Sequence, residues 1–202
     1  MCEQLRILFG NLSENAYSFG LFEGNVYFCK RRLYKNNMIL YHGTNTIMSN
    51  KYFPDEEIGF NEIYFVCYMI ERVARKICQR NRYVVTRLGD EGLYHQLSVA
   101  QVTHCLNPEQ VEDDWIEEYQ LEKGDFDITD VDTNYTDKIP SPTQMGKVYA
   151  RLIQSVCNSD DLLQAFHQVY NSPICETIDN YNTSAYFEPS YVQTRALLNG
   201  GF

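Results

Sequence analysis

One long amphipathic segment constrains the fold more than any other part of the chain. In NEIYFVCYMIERVARKICQR, which begins at residue 61, apolar residues recur at the i, i+3, i+4, i+7 spacing of one helix face. They are Val66, Met69, Ile70, Val73 and Ile77. A face of this kind must be buried against other elements. The sequence therefore predicts a helix at the centre of a core.

The segment NPEQVEDDWIEEY predicts a second helix at the end of the same stretch, residues 61–119. Asn107 can cap its N-terminus, and Pro108 suits the first helical position. The single tryptophan, Trp115, falls on the apolar side with Val111 and Ile116. This helix is therefore expected to face the same core.

The first 58 residues have a different character. RILFG, AYSFGLF, NVYFCKRRLY and MILYHG are short and rich in aromatic and β-branched residues, and segments with turn chemistry separate them. This pattern predicts a small antiparallel sheet. A polar connector, residues 45–59, then leads into the helical part.

Helix start and stop signals punctuate the end of the chain. Ser141, Pro142 and Gln144 form a capping-box pattern, Ser172-Pro173 begins a short helix, and Gly200-Gly201 ends the last one. A further helix is expected over residues 92–105. The predicted fold is α+β and predominantly helical, with a small N-terminal antiparallel sheet (1–58) packed on a helical body (59–202) that carries an acidic loop at about 122–140.

Composition and charge narrow the classes of function. The chain of 202 residues has a formal net charge of −10, which argues against binding nucleic acid or anionic membranes, because those contacts need Lys and Arg. Seven dispersed cysteines without a C-x-x-C pair are typical of reduced thiols. No leader or membrane-spanning run is evident, so a cytoplasmic protein without membrane association is expected.

Most of the net charge resides within residues 109–137. The segment DFDITDVDTNYTD has alternating aspartates, but it lacks the glycine and the closing glutamate of an EF-hand calcium loop. No metal site is therefore predicted. The first helix has a basic outer face, Arg72, Arg75, Lys76 and Arg80, which is either a solvated surface or a docking site for the acidic stretch or a partner.

Acidic and aromatic side chains together predict a surface for a protein partner that has a basic surface of its own. Complementary charge would accelerate association, and aromatic rings would add affinity if they are exposed. The predicted partner-binding residues are Glu112, Asp113, Asp114, Trp115, Glu117, Glu118, Tyr119, Asp125 and Asp127.

The tripeptide His42-Gly43-Thr44 resembles the H-G-T motif of ADP-ribosyltransferases of the diphtheria-toxin and poly-ADP-ribose-polymerase type. In that family the motif holds the nicotinamide ribose of NAD, and a second strand supplies an aromatic residue, for which GFNEIYF offers Tyr64. The resemblance implies a nicotinamide pocket shaped by His42 and Tyr64. The family's catalytic glutamate has no counterpart here, because the glutamates after Tyr64 lie in predicted helices or in the acidic loop.

Two longer segments, IYFVCYMIERVARKICQR and HCLNPEQVEDDWIEEY, resemble a small helical bacterial family of unknown biochemistry. The tail VYNSPICETIDNYNTSAYFEPSYV is similar to a companion segment of the same neighbourhoods. Members are encoded beside ADP-ribosyltransferase-like toxins and are suspected antitoxins or partners. No catalytic residue carries over from this family.

These observations favour a non-catalytic, antitoxin-like or inhibitor-like interaction protein without a cofactor. Two alternatives remain open at this stage. One is an NAD-dependent ADP-ribosyltransferase that uses the H-G-T motif, and the other is a structural subunit of a homo-oligomer.

Overall fold

An antiparallel hairpin forms the described part of the N-terminal region. In the computed structural model, which describes residues 17–22, 25–30, 48–136, 138–157 and 161–202, strand β1 (Tyr17–Phe22) pairs with β2 (Asn25–Lys30). Tyr17 lies opposite Lys30 and Phe22 opposite Asn25. The strands predicted in AYSFGLF and NVYFCKRRLY are confirmed over these ranges. RILFG and MILYHG lie outside the described residues.

The chain divides into two compact units between Gly43 and Thr44. The sequence predicts this boundary at residue 58, near the end of the polar connector. Residues 44–58 group instead with the C-terminal unit, where the two-residue strands β3 (Met48–Ser49) and β4 (Glu57–Ile58) pair antiparallel just before the first helix.

Seven α-helices make up most of the described C-terminal unit, so the prediction of a predominantly helical α+β fold is confirmed. They are α1 (Phe60–Lys76), α2 (Asn81–Thr103), α3 (Pro108–Glu118), α4 (Pro142–Val156), α5 (Leu162–Tyr170), α6 (Pro173–Ile178) and α7 (Ser190–Asn199). A short 3-10 helix, Ala185–Phe187, precedes α7.

Helix α1 occupies the centre of this unit and packs against α2, α3 and α4. The apolar face predicted from the sequence is buried throughout. The helix begins at Phe60, where Glu62 in the first turn accepts a hydrogen bond from Gly59 N at 2.8 Å. A carboxylate in the first turn also suits the helix dipole.

The contact between α1 and α4 depends on a glycine. A Cβ atom on Gly146 would lie 2.9 Å from Tyr68 Cα and 3.0 Å from Tyr68 N. The two helix backbones therefore approach closely at this point, and any side chain at position 146 would push them apart.

Helix α2 is longer than predicted and is broken at one residue. The sequence indicated a helix over residues 92–105, whereas the helical segment starts at Asn81 and passes through Gly89 with φ 61° and ψ −171°. That conformation is essentially restricted to glycine. Gly89 therefore joins two helical pieces, of which the sequence predicts only the second.

The caps predicted for α3, α4 and α7 are confirmed. Asn107 accepts from Glu109 N at 3.0 Å at the start of α3. At the start of α4, Ser141 Oγ accepts from Gln144 N at 3.2 Å, and Gln144 Oε1 accepts from Ser141 N at 2.8 Å. Gly200, at φ 79°, ends α7 in the left-handed conformation.

Aromatic side chains fill much of the core. Trp115, Tyr68, Tyr149, Tyr170 and Tyr181 are among the largest fully buried residues, and the rings of Tyr149 and Tyr170 stack with centroids 4.5 Å apart. No helix in the described ranges has the length and apolar character needed to cross a membrane.

Candidate functional site

Four carboxylates line the outer side of α3 and form the acidic face, defined here as Asp113, Asp114, Glu117 and Glu118. All four residues are exposed. Along the described chain, no salt bridge within 4 Å involves Asp114, Glu117 or Glu118. The structure therefore places these four members of the predicted partner-binding set together on α3 and leaves them facing solvent.

The inner edge of α3 pairs with the basic face of α1. Arg72 Nε donates to Glu112 Oε1, and Lys76 Nζ lies 3.2 Å from Glu112 Oε2 and 2.6 Å from Asp113 Oδ1. The hydrogen bond from Lys76 to Asp113 is the largest cause of a raised pKa at Lys76. Glu112 is only 5% exposed. Glu112 thus belongs to an internal ion-pair cluster, while Asp113 bridges that cluster and the acidic face.

The two aromatic members of the predicted set contribute to packing. Trp115 is 1% exposed and meets the Tyr119 ring edge-on at 6.4 Å. The Tyr119 hydroxyl accepts from Gln96 Nε2 at 2.9 Å, and burial raises its pKa to about 12. The Trp115 indole therefore stabilises the core and is not exposed to a partner in this state. Tyr119 is half-buried, so only part of its ring is accessible.

The acidic segment after α3 is held against the turn between α1 and α2. Gly124 N donates to Ile77 O at 2.8 Å, and Phe126 N donates to Cys78 O at 2.9 Å. The Arg80 guanidinium lies 3.9 Å from the centre of the Phe126 ring. These contacts fix the backbone on both sides of Asp125.

Asp125 and Asp127 differ in their surroundings although both are exposed. Asp127 Oδ1 accepts from Thr129 N at 2.8 Å and from Thr129 Oγ1 at 2.6 Å, and the side-chain bond is the largest cause of its lowered pKa. Asp127 therefore stabilises a local turn. Asp125 lies between the two anchored residues Gly124 and Phe126 and is exposed.

The C-terminal end of α3 carries charge of unfavourable sign. Glu117 and Glu118 lie in the last turn, which holds no basic residue, and anions there oppose the helix dipole. Arg87 on α2 offsets part of this cost, because its Nη2 donates to Gln120 O at 3.1 Å and to Tyr119 O at 3.4 Å. The helix end is satisfied by a neighbour while its carboxylates remain at the surface.

Of the two residues that the transferase alternative requires, the structure describes only Tyr64. Tyr64 lies in α1, where its ring is 6.5 Å from that of Tyr68 and 5.9 Å from Lys147 Nζ. The family arrangement requires the aromatic residue on a strand. His42 lies outside the described residues. The NAD-dependent hypothesis therefore gains no support from the position of Tyr64, and it stays a prediction.

A buried polar cluster, which the sequence analysis missed, lies beneath α1. Glu71 has no exposed surface and accepts from three side chains: Arg75 Nε at 2.8 Å, Asn81 Nδ2 at 2.6 Å and Tyr181 OH at 2.5 Å. Arg75 also donates to Pro140 O at 2.8 Å. One helix thus anchors the start of α2, the entry to α4 and the segment after α6.

A second buried carboxylate completes the cluster. Asp179 accepts from Tyr149 OH and Asn81 Nδ2, and Cys175 Sγ lies 3.5 Å from its Oδ2. Burial, followed by the negative charge of Glu71, raises the pKa of Asp179 to about 7. Burial also raises the pKa of the Cys175 thiol.

This cluster is suited to holding helices together. Asp179 and Cys175 are 5% and 3% exposed, and Glu71 is 0% exposed, so a substrate has no path to them in this state. A usable signal did exist in the sequence, since Glu71 falls on the same face of α1 as Cys67 and Ala74. An acid inside an apolar stripe indicates a buried partner.

Metal binding has no support in the described ranges, where no group of three or more His, Cys, Asp and Glu side chains is placed to hold an ion. Comparison of the chain with protein-family models, with curated proteins and with solved structures finds no match in any of the three.

Proposed function

We propose that this chain is a non-catalytic binding protein that captures a protein partner through the acidic face of α3, extended by Asp125. The observation that carries the proposal is that the two sides of α3 differ in burial and in ion pairing. Glu112 and Trp115 face inward and stabilise the fold, while Asp114, Glu117 and Glu118 project from the same helix without a salt bridge in the described chain.

The energetics of the acidic face support a role in binding. Carboxylates at a helix C-terminus each cost about 0.3–1 kcal/mol through the helix dipole, and neighbouring like charges add repulsion. A cationic partner surface would remove both costs on binding. The side chains are also presented on a rigid helix, so little conformational freedom is lost when the partner docks.

The partner expected from charge complementarity is a protein with a cluster of Lys and Arg. We further propose an antitoxin-like or inhibitor-like role, in which the bound chain covers a basic functional surface of the partner and blocks its activity. This finer assignment rests on the resemblance of the helical segments to the suspected antitoxin family. An ADP-ribosyltransferase-like toxin is the partner class that this resemblance implies.

The test is affinity capture from an extract of the organism that encodes the chain, with quantitative mass spectrometry. The binding variant is Asp114→Lys/Glu117→Lys. Its matched control is Glu91→Lys/Glu176→Lys, which raises the net charge by the same amount at exposed positions outside α3. Circular dichroism establishes that both variants are folded.

The proposal predicts a protein captured by the natural chain and the control but lost from the binding variant. Its affinity for the natural chain should fall as salt rises, and the dependence should be weaker for the binding variant. Equal capture by both variants would show that the acidic face is only a solubilising surface. Inhibition is then tested by measuring the activity of the captured partner with and without the chain.

A further inference from the structure

A groove of about 310 Å³ lies between α4 and the segment that leads into α7. Its lining includes Lys147, Arg151, Tyr186, Phe187, Glu188 and Gln193. None of these residues belongs to the acidic face or to the buried cluster. The groove is therefore a separate feature of the surface.

Two cations on α4 give the groove its charge. Lys147 and Arg151 are four residues apart and so lie on the same side of the helix. Neither forms a salt bridge with another residue of the described chain. Glu188 contributes one negative charge to the lining. The charged residues that line the groove therefore have a net positive charge, although the chain as a whole has a net charge of −10.

Two aromatic side chains line the groove together with these cations, and a third is exposed in the helix that follows. Phe187 is 63% exposed, and its ring lies 4.0 Å from that of Tyr186. Tyr191, in the first turn of α7, is 70% exposed. Large apolar side chains at this level of exposure, beside cationic groups, match the composition of surfaces that bind proteins.

The spacing of the cations indicates the shape of the ligand. Four residues of α-helix rise about 6 Å, and two residues of an extended chain rise about 6.6–6.8 Å. Carboxylates at alternate positions of an extended segment therefore match Lys147 and Arg151. The groove is also partly open to solvent, which suits a peptide better than an enclosed small molecule.

We propose that this groove binds an extended acidic segment of a partner protein, with alternate carboxylates on Lys147 and Arg151 and an apolar side chain on Phe187. The site does not depend on the acidic face and has the opposite charge preference. With both surfaces in use, the chain would hold a basic surface on α3 and an acidic segment between α4 and α7.

Fluorescence anisotropy with a labelled peptide tests the proposal. The probe is an eight-residue peptide with aspartates at alternate positions and one phenylalanine, and its control replaces each aspartate by asparagine. The protein variants are Lys147→Gln/Arg151→Gln and Phe187→Ser. The matched control, Lys123→Gln/Arg195→Gln, removes two exposed cations outside the groove.

We expect the acidic peptide to bind the natural chain and the matched control alike. Lys147→Gln/Arg151→Gln should weaken binding by about tenfold or more, and so should the asparagine peptide, whereas Phe187→Ser should weaken it less. An equal loss in the matched control would reduce the effect to general electrostatics and overturn the proposal. Absence of binding at millimolar peptide would also overturn it.

Sedimentation of the free proteins examines a different occupant, since this chain has alternating aspartates of its own at Asp125 and Asp127. A dimer that dissociates in Lys147→Gln/Arg151→Gln would assign the groove to a second copy and overturn the partner assignment. A monomer in both proteins, together with peptide binding, supports it.

Discussion

Glu71 and Asp179 share the side-chain amide of Asn81, whose Nδ2 lies 2.6 Å from Glu71 Oε2 and 3.1 Å from Asp179 Oδ1. The residues are far apart in sequence, on α1 and at the end of α6. Arg75 is the cation that pairs with Glu71. The arrangement leaves Asp179 with neutral donors only, which is why burial and the charge of Glu71 act on it so strongly.

The pH dependence of stability should therefore include a contribution from Asp179. Its folded-state pKa, about 7, exceeds the ordinary value of 3.8, so the folded state binds the proton more tightly than the unfolded state. The resulting stability is fully present below about pH 4 and is lost as the pH rises through 7. At about 1.4 kcal/mol per pKa unit, the loss is about 4 kcal/mol at most.

Asp179→Asn isolates this contribution. The amide oxygen can still accept from Tyr149, and the group no longer titrates. We expect the difference in unfolding free energy between the natural chain and the variant to change by a few kcal/mol from pH 4 to 7 in urea denaturation, with the natural chain losing more stability. Asp130→Asn, at an exposed aspartate, should leave the profile unchanged. Parallel profiles for all three proteins would contradict the assignment.

Two arginines should respond very differently to the same substitution. Arg75→Met leaves the Glu71 carboxylate buried without its cation, which costs about 3–5 kcal/mol. Arg82→Met breaks an exposed pair with Glu176, with 44% and 53% of the side chains accessible, and costs at most about 1 kcal/mol. Thermal denaturation should show a drop on the order of 10 °C for the first and little change for the second. Similar shifts would mean that Glu71 is compensated in some other way.

Substitutions at two glycines should show the cost of backbone strain without any contribution from steric crowding. An added Cβ meets no atom within 4 Å at Gly89 or at Gly200, so only the backbone conformation matters. Gly89→Asn should cost about 1–3 kcal/mol, because φ 61° with ψ −171° is outside the region open to side chains. Gly200→Asn, at φ 79° and ψ 15°, should cost clearly less, since asparagine tolerates the left-handed helical region. Urea denaturation measures the unfolding free energy of each variant. An equal loss of stability in both would contradict the backbone conformation described for Gly89.

Removing charge at the C-terminus of α3 should stabilise the free protein. Glu117→Gln/Glu118→Gln relieves an unfavourable dipole interaction worth about 0.3–1 kcal/mol per residue. We expect a small rise in Tm at low salt that shrinks as salt screens the charges. Glu109→Gln, in the first turn of the same helix, is the control and should lower Tm instead. A fall in Tm for both variants would argue against the dipole as the cause.

Local signals in the sequence were sufficient to predict where helices begin when a side chain caps the first turn. Asn107, Ser141 and Gln144 act within three residues of their own position, so a capping pattern has the same meaning in any fold. The apolar face of α1 was equally readable, because periodicity alone identifies it. The start of α2 at Asn81 was missed because a glycine inside a helical pattern disfavours a continuous helix, and Gly89 interrupts this segment.

The sequence alone did not predict which charged and aromatic side chains face the core and which face solvent. Trp115 and Tyr119 were placed in the partner surface with Glu112, and no local pattern could show that Arg72 and Lys76 draw Glu112 inward. The buried cluster posed the same difficulty on a larger scale. Glu71, Asn81 and Asp179 meet only after α1, α2 and α6 have packed.

The close approach of Gly146 to Tyr68 has a consequence for how the chain reaches its native state. The central helix and its most extensive partner, α4, are separated by more than sixty residues, so closing that loop is slow compared with forming either helix. During synthesis α1, α2 and α3 emerge first, and the side of α1 that packs on α4 stays uncovered until residue 146 has left the ribosome. This interval exposes the nascent protein to aggregation, and chaperones would be most useful to it then.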